Sequence, residues 1–215
     1  MTLPQFHTLT TRHLNRVFDN TVATYKYYWF LGILDACVKQ GKSRINVWDI
    51  MISMVTNAWY PVNYFRLSFG KSESLYDAII TLQREYNIPI NISINELTEL
   101  LQALIQRREV RRLLNFLQMN VPFRFLRPWI DTSDDKQMVL RSQTFENGCL
   151  YKLEKIDRIW WVEINPAWLP YLRENYDILT SFAYWGLTNF LQVRNPNVPN
   201  IPNKLIKRDE RSSLL

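Results

Sequence analysis

Residues 21–39 limit the possible folds of this chain more than any other segment. They read as one helix on which Tyr25, Tyr27, Tyr28, Trp29, Phe30, Leu31, Ile33 and Leu34 leave almost no polar face. A helix that is apolar on all sides cannot lie on a surface and has to run through the middle of the fold. Other elements must then surround it. Asp19 or Asn20 is placed to cap its start, and Gly41 to end it.

The remaining sequence supplies the surrounding layer. Residues 10–18 read as a short helix. Asn46 can cap a helix through Val47, Ile50, Met51, Met54 and Val55, which Pro61 closes or kinks. Ser72 is expected to start another, with Leu75, Ala78, Ile79 and Leu82 at helical spacing, and Pro89 breaks the chain after it. Asn95 then opens one long amphipathic helix over about residues 96–119. Leu97, Leu100, Leu101, Leu104, Ile105, Leu113, Leu114 and Leu117 line one side of it, and Arg107, Arg108, Arg111 and Arg112 the other.

The period changes at residues 121–126, VPFRFL, which alternate Phe with Arg and read as a strand entry. Residues 138–140, 150–153 and 159–164 are further β-prone runs. Helices resume over 167–175 and 177–193. The expected fold is therefore mainly α, a multi-helix domain with a small antiparallel β-sheet inserted around residues 121–164. Residues 1–194 form a single domain in this reading. Residues 195–215, which begin NPNVPNIPN, form an extended Asn/Pro arm and charged linker.

Scarce residues exclude several chemistries. The five glycines stand alone at Gly32, Gly41, Gly70, Gly148 and Gly186, so no Gly-rich phosphate loop can be assembled. Two histidines and two cysteines, with no CxxC, HxxxH or HExxH pairing, exclude a zinc finger or a zincin. A nucleophilic triad would have to use His7 or His13, and no catalytic residue is assigned. Asp131, Asp134 and Lys136 superficially resemble a PD-(D/E)xK nuclease set. They share one polar loop, however, and no Glu-x-Lys follows on a later strand, so a turn explains them. The N-terminus has no apolar leader, and the apolar run at 27–38 is interrupted by Asp35 and too short to span a bilayer. A cytoplasmic protein without membrane contact is expected, with Cys37 and Cys149 as small buried hydrophobes.

A net charge of +6 directs attention to polyanionic partners. Arg107 and Arg111 stand four residues apart, as do Arg108 and Arg112, and on one helix all four cover a broad face able to hold phosphates. A solvated face is the competing explanation. Arg124 and Arg127, interleaved with Phe123, Phe125 and Trp129, could stack on bases, or could be the solvent side of a strand. Lys204, Lys207 and Arg208 add a basic tail.

Four motifs, FDNTVATYKYYWFLGIL (18–34), WYPVNYFRLSFGK (59–71), VPFRFLRPW (121–129) and NPNVPNIPNKL (195–205), resemble the N-terminal region of bacterial HNH-endonuclease-domain proteins. The resemblance covers nearly the whole chain. Family members continue into an HNH module that cuts DNA with a divalent metal. This sequence stops at Leu215, where the linker to that module is expected, and it carries none of the HNH residues. The resemblance thus implies a non-catalytic helical domain that binds DNA or targets a nuclease to it, in restriction or phage defence. No cofactor is expected in this chain, and the divalent metal only in a downstream HNH module. An alternative is a protein-interaction or self-association module that docks through residues 59–69 or through the Asn/Pro arm.

Overall fold

Helix α2 (Tyr25–Leu34) is buried at every residue except Lys26, as its all-round apolar sequence requires. The computed structural model describes residues 3–5, 9–19, 21–71 and 73–205. The helix α1 (Arg12–Asn15) and a 3-10 turn at Arg16–Phe18 precede α2. A π-helical turn at Asp35–Lys39 follows it, so the expected single helix to residue 39 changes its winding midway. The helices α3 (Val47–Asn63), α6 (Arg108–Leu126) and α9 (Tyr176–Arg194) pack around α2. Contact with α9 depends on Gly186, because a Cβ there would lie 2.7 Å from Cε1 of Tyr27.

The start of α2 has no cap of its own. Thr24 presents its backbone N–H and its hydroxyl to Oε1 of Glu73, at 3.0 and 2.7 Å. The other carboxylate oxygen of Glu73 accepts from the N–H groups of Leu75 and Tyr76, and so caps α4 (Ser74–Glu85). One side chain, 4% exposed, therefore serves two helices. Ser72 and Asn20, expected as caps, lie outside the described residues. Asn46 does cap α3, its side chain accepting from the N–H of Trp48 at 2.8 Å. Pro61 lies inside α3 and does not end it.

The long helix expected over 96–119 is two helices. Ser93 and Glu96 form a capping box that opens α5 (Ile94–Leu104), and α6 begins at Arg108. The apolar stripe explains the break. Leu97, Leu101 and Leu104 are buried before it, and Val110, Leu114 and Leu117 after it. On a continuous helix Val110 would point about 120° away from Leu104, six residues at 100° each. A break at residues 105–107 returns both faces to the core.

Residues 121–126 are not a strand but the end of α6. Val121, Pro122, Phe123, Phe125 and Leu126 are all buried and only Arg124 is partly open, so the alternation arises from a helix enclosed on nearly every side. Phe125 stacks on Phe30 at 5.8 Å and on Tyr151 at 6.1 Å. Residues 138–140 likewise belong to α7 (Asp135–Ser142), which Asp134 caps. The sheet is small and antiparallel, with β2 (Tyr151–Ile156), β3 (Ile159–Ile164) and, from far upstream, β1 (Arg44–Asn46), in the order β1-β3-β2. The Tyr151 hydroxyl joins sheet and helices, accepting from Trp29 Nε1 at 3.1 Å and donating to the Pro122 carbonyl at 2.6 Å.

Beyond β3 lie α8 (Trp168–Glu174) and α9. The Asn/Pro run is extended only at first and then forms α10 (Ile201–Leu205), which packs on α9 and α3 with Ile201 and Leu205 buried. The Asn195 side chain holds this stretch to the backbone of Ser68, accepting and donating at 2.8 Å.

Candidate nucleic-acid interface

The α5–α6 break decides what the arginines can do. Arg107 lies in extended backbone ahead of α6 and turns toward Tyr86, with its guanidinium 5.6 Å from the ring centroid. It is therefore off the helical face on which four arginines were expected. Arg111 braces the break. Its Nε donates to the Ile105 carbonyl at 2.7 Å, and an Nη donates to Oε1 of Gln106 at 3.2 Å. Its guanidinium also lies 5.7 Å from the Trp48 ring centroid.

Arg108 and Arg112 remain free on the exposed side of α6, and neither forms an ion pair among the described residues. Together with Arg111 they line an open cleft of about 420 Å³. A fourth arginine, Arg158, reaches the cleft from the β2–β3 turn, accompanied by Asp157, Ile159, Trp48, Asn115 and Gln118. The geometry follows from α3, which touches both α6 and β3 and so brings the two walls together. Four guanidinium groups against the one carboxylate of Asp157 give the cleft a strongly positive potential, and the N-terminus of α6 adds the positive end of its dipole.

Arg158 has no counterpart in the sequence reading. Ile156 pairs with Ile159, so Asp157 and Arg158 form a two-residue hairpin turn with φ of 49° and 68°. Such turns normally use Asn-Gly or Asp-Gly, because both residues need positive φ. The β-prone runs expected at 150–153 and 159–164 leave five residues between them, so the two-residue turn was not visible, and the absence of glycine removed the usual signal. A long side chain is kept at a position where glycine would be less strained.

The second arginine group lies at the other end of α6, with Arg124 about 18 to 24 Å along the helix axis from Arg112 and Arg108. An Nη of Arg124 donates to the Tyr25 hydroxyl at 3.1 Å. Beside it, Lys26 donates to the Val17 carbonyl at 3.1 Å. Burial holds the Lys26 pKa below its ordinary value, and the Arg127 and Arg124 charges lower it further. Arg127 itself is exposed. Lys204 folds back onto the protein, donating to the Pro199 carbonyl at 2.6 Å and lying 5.5 Å from the Phe65 ring centroid. Lys207 and Arg208 lie outside the described residues, as does His7.

Other groups offer less. A polar pocket of about 300 Å³ beside the π-helical turn holds two lysines and two aspartates, but they pair with each other. Lys39 meets Asp35 at 3.1 Å and Lys42 meets Asp49 at 3.4 Å. His13 packs beside Trp129, with its pKa lowered by burial and by Arg12 and Arg16. Burial raises the thiols of Cys37 and Cys149 to about 12, which leaves them inert at neutral pH. Among the described residues no group of three or more His, Cys, Asp or Glu side chains could hold a metal, and no helix is long and apolar enough to cross a membrane. Residues 59–69, suggested as a docking segment, are largely consumed by the core, with Trp59, Leu67 and Phe69 fully buried. Comparisons with protein-family models, curated proteins and solved structures find no match to this chain.

Proposed function

We propose that this chain is a non-catalytic DNA-binding or targeting domain, of the kind that delivers an HNH-type nuclease to its substrate. The observation that carries this reading is the convergence of Arg108, Arg112 and Arg158, from two separate elements, on one open cleft where only one carboxylate opposes them. A guanidinium fork suits phosphate oxygens, and three unpaired forks can grip successive phosphates. Arg111 contributes by holding the cleft wall, since its donors are engaged with the end of α5. The resemblance of four sequence motifs to the N-terminal region of HNH-endonuclease-domain proteins points the same way. Self-association has weaker support, because residues 59–69 and the Asn/Pro run are engaged within the fold.

Binding of this kind is driven by counterion release, so its salt dependence counts the phosphates neutralised. Fluorescence anisotropy with a labelled DNA duplex should show affinity falling with salt at a log–log slope of about −3, for three free arginines at about −0.9 each. No binding at low salt, or binding indifferent to salt, would overturn the proposal.

A further inference from the structure

Past the arginines, the exposed side of α6 changes character. Phe116 is 48% exposed and Met119 44% exposed, although both are large apolar side chains. The Phe116 ring has no aromatic or cationic partner among the described residues. At 100° per residue, Arg108, Arg112, Phe116 and Met119 fall within a sector of about 80° around the helix axis. Phe116 follows Arg112 by four residues, which makes the two side chains neighbours on the helix surface. The strip they form is about 16 Å long, basic at its start and apolar at its end. Glu109, the one acidic residue of α6, stands in the first turn, two turns before Phe116. An exposed aromatic ring beside free guanidinium groups asks for a ligand that is both anionic and flat-faced.

A strand of unpaired nucleotides has both properties. We infer that the exposed face of α6 is a platform for single-stranded DNA, with one base on the Phe116 ring, the next against the Met119 thioether, and the strand's phosphates on Arg108 and Arg112. The inference rests on the DNA-binding reading and narrows its substrate class to unpaired strands. Charge complementarity selects the occupant, because the apolar patch adjoins free arginines and its partner must carry negative charge next to flat apolar surface. In a duplex the faces of each base are covered by its neighbours, so only phosphates meet the helix. In a single strand the faces are open, and stacking on an aromatic side chain adds affinity whatever the base. The polarizable sulfur of Met119 suits contact with a further ring.

The test follows a labelled oligothymidylate and a duplex of the same length by fluorescence anisotropy over a series of salt concentrations. At matched salt the single strand should bind about tenfold more tightly, the value of one base stacked on an aromatic ring. Phe116→Ala should remove that preference and leave duplex affinity within about twofold. Its salt slope for the single strand should stay unchanged, because the arginines remain. Phe116→Leu keeps apolar area without a π-face and should match the alanine variant within about threefold. An unchanged melting temperature shows that both variants keep the fold. Equal or weaker binding of the single strand, a preference that survives Phe116→Ala, or an equal loss on the duplex overturns the platform. Salt-dependent binding of duplex would then still support the broader reading, whereas no binding to either DNA sinks both. Polyglutamate is the last arm. It should compete only weakly, and if it displaced oligothymidylate as well as unlabelled strand does, an acidic protein segment rather than DNA would be the occupant.

Discussion

The two ends of α6 carry the same residue type and use it in opposite ways. At the N-terminal end, Arg108 and Arg112 face an open cleft and share it with Arg158. At the C-terminal end, Arg124 is bound to the Tyr25 hydroxyl and crowds Lys26, whose ammonium is already penalised by burial. A count of arginines does not separate the two. What separates them is the neighbours that packing supplies: an open wall at one end, the start of the central helix at the other.

Substitutions at the two ends should accordingly move different observables. The largest effect is expected from Arg108→Ala combined with Arg112→Ala. Duplex affinity should fall about 30- to 100-fold, and the salt slope should shrink from about −3 to about −1. Thermal stability should hardly change, since neither side chain has a partner to lose. An unchanged slope would erase the contrast between the ends.

Arg158→Gly comes next and should move two quantities in opposite directions. Glycine relieves the positive φ of the turn, which should raise stability by about 1 kcal/mol, visible in urea unfolding. The same change should weaken DNA binding about tenfold and reduce the salt slope by about one. If binding were untouched, the strained arginine would have no role in the cleft.

At the opposite end, Arg124→Ala should cost about 1 kcal/mol through the lost bond to Tyr25, lowering the melting temperature by about 2 to 4 °C. DNA affinity should stay within about twofold. A large loss of affinity would assign both ends to the interface.

The smallest effect concerns Lys26. Its pKa is depressed in the folded protein, so the charged form is penalised there and the neutral form is not. Stability from this group is present above the unfolded value near 10.5 and is lost as pH falls through the lower folded value. Lys26→Met should remove that dependence, and unfolding followed from pH 8 to 11 would reveal it as a flatter curve.

What the sequence disclosed depended on how local each feature is. The all-round apolar run of α2 announced its own burial, and Asn46 announced the start of α3. That Arg108, Arg111 and Arg112 stand close together was legible because they lie within five residues of one helix. The helix break between Leu104 and Arg108 was not, because leucines continue across it, and only the phase of the buried face betrays the interruption. The alternation in residues 121–126 misled for the converse reason. A helix enclosed on several sides loses its 3.6-residue signature and can mimic a strand. Gln118 and Arg158 came to line one cleft only when α3 brought α6 and β3 together, a juxtaposition of segments 40 residues apart that no local pattern encodes.

The carboxylate of Glu73 imposes an order in time. It stands 49 residues after Thr24, whose groups it secures. Translation at about 5–20 residues per second separates the two by about 2 to 10 s. Within that interval α2 is synthesised first, α3 is completed only at Asn63, and the cap of α2 arrives last, with Glu73. The chain therefore passes through a stage at which Tyr27, Trp29, Phe30 and Ile33 are uncovered, and α2 becomes secure in the same event that starts α4.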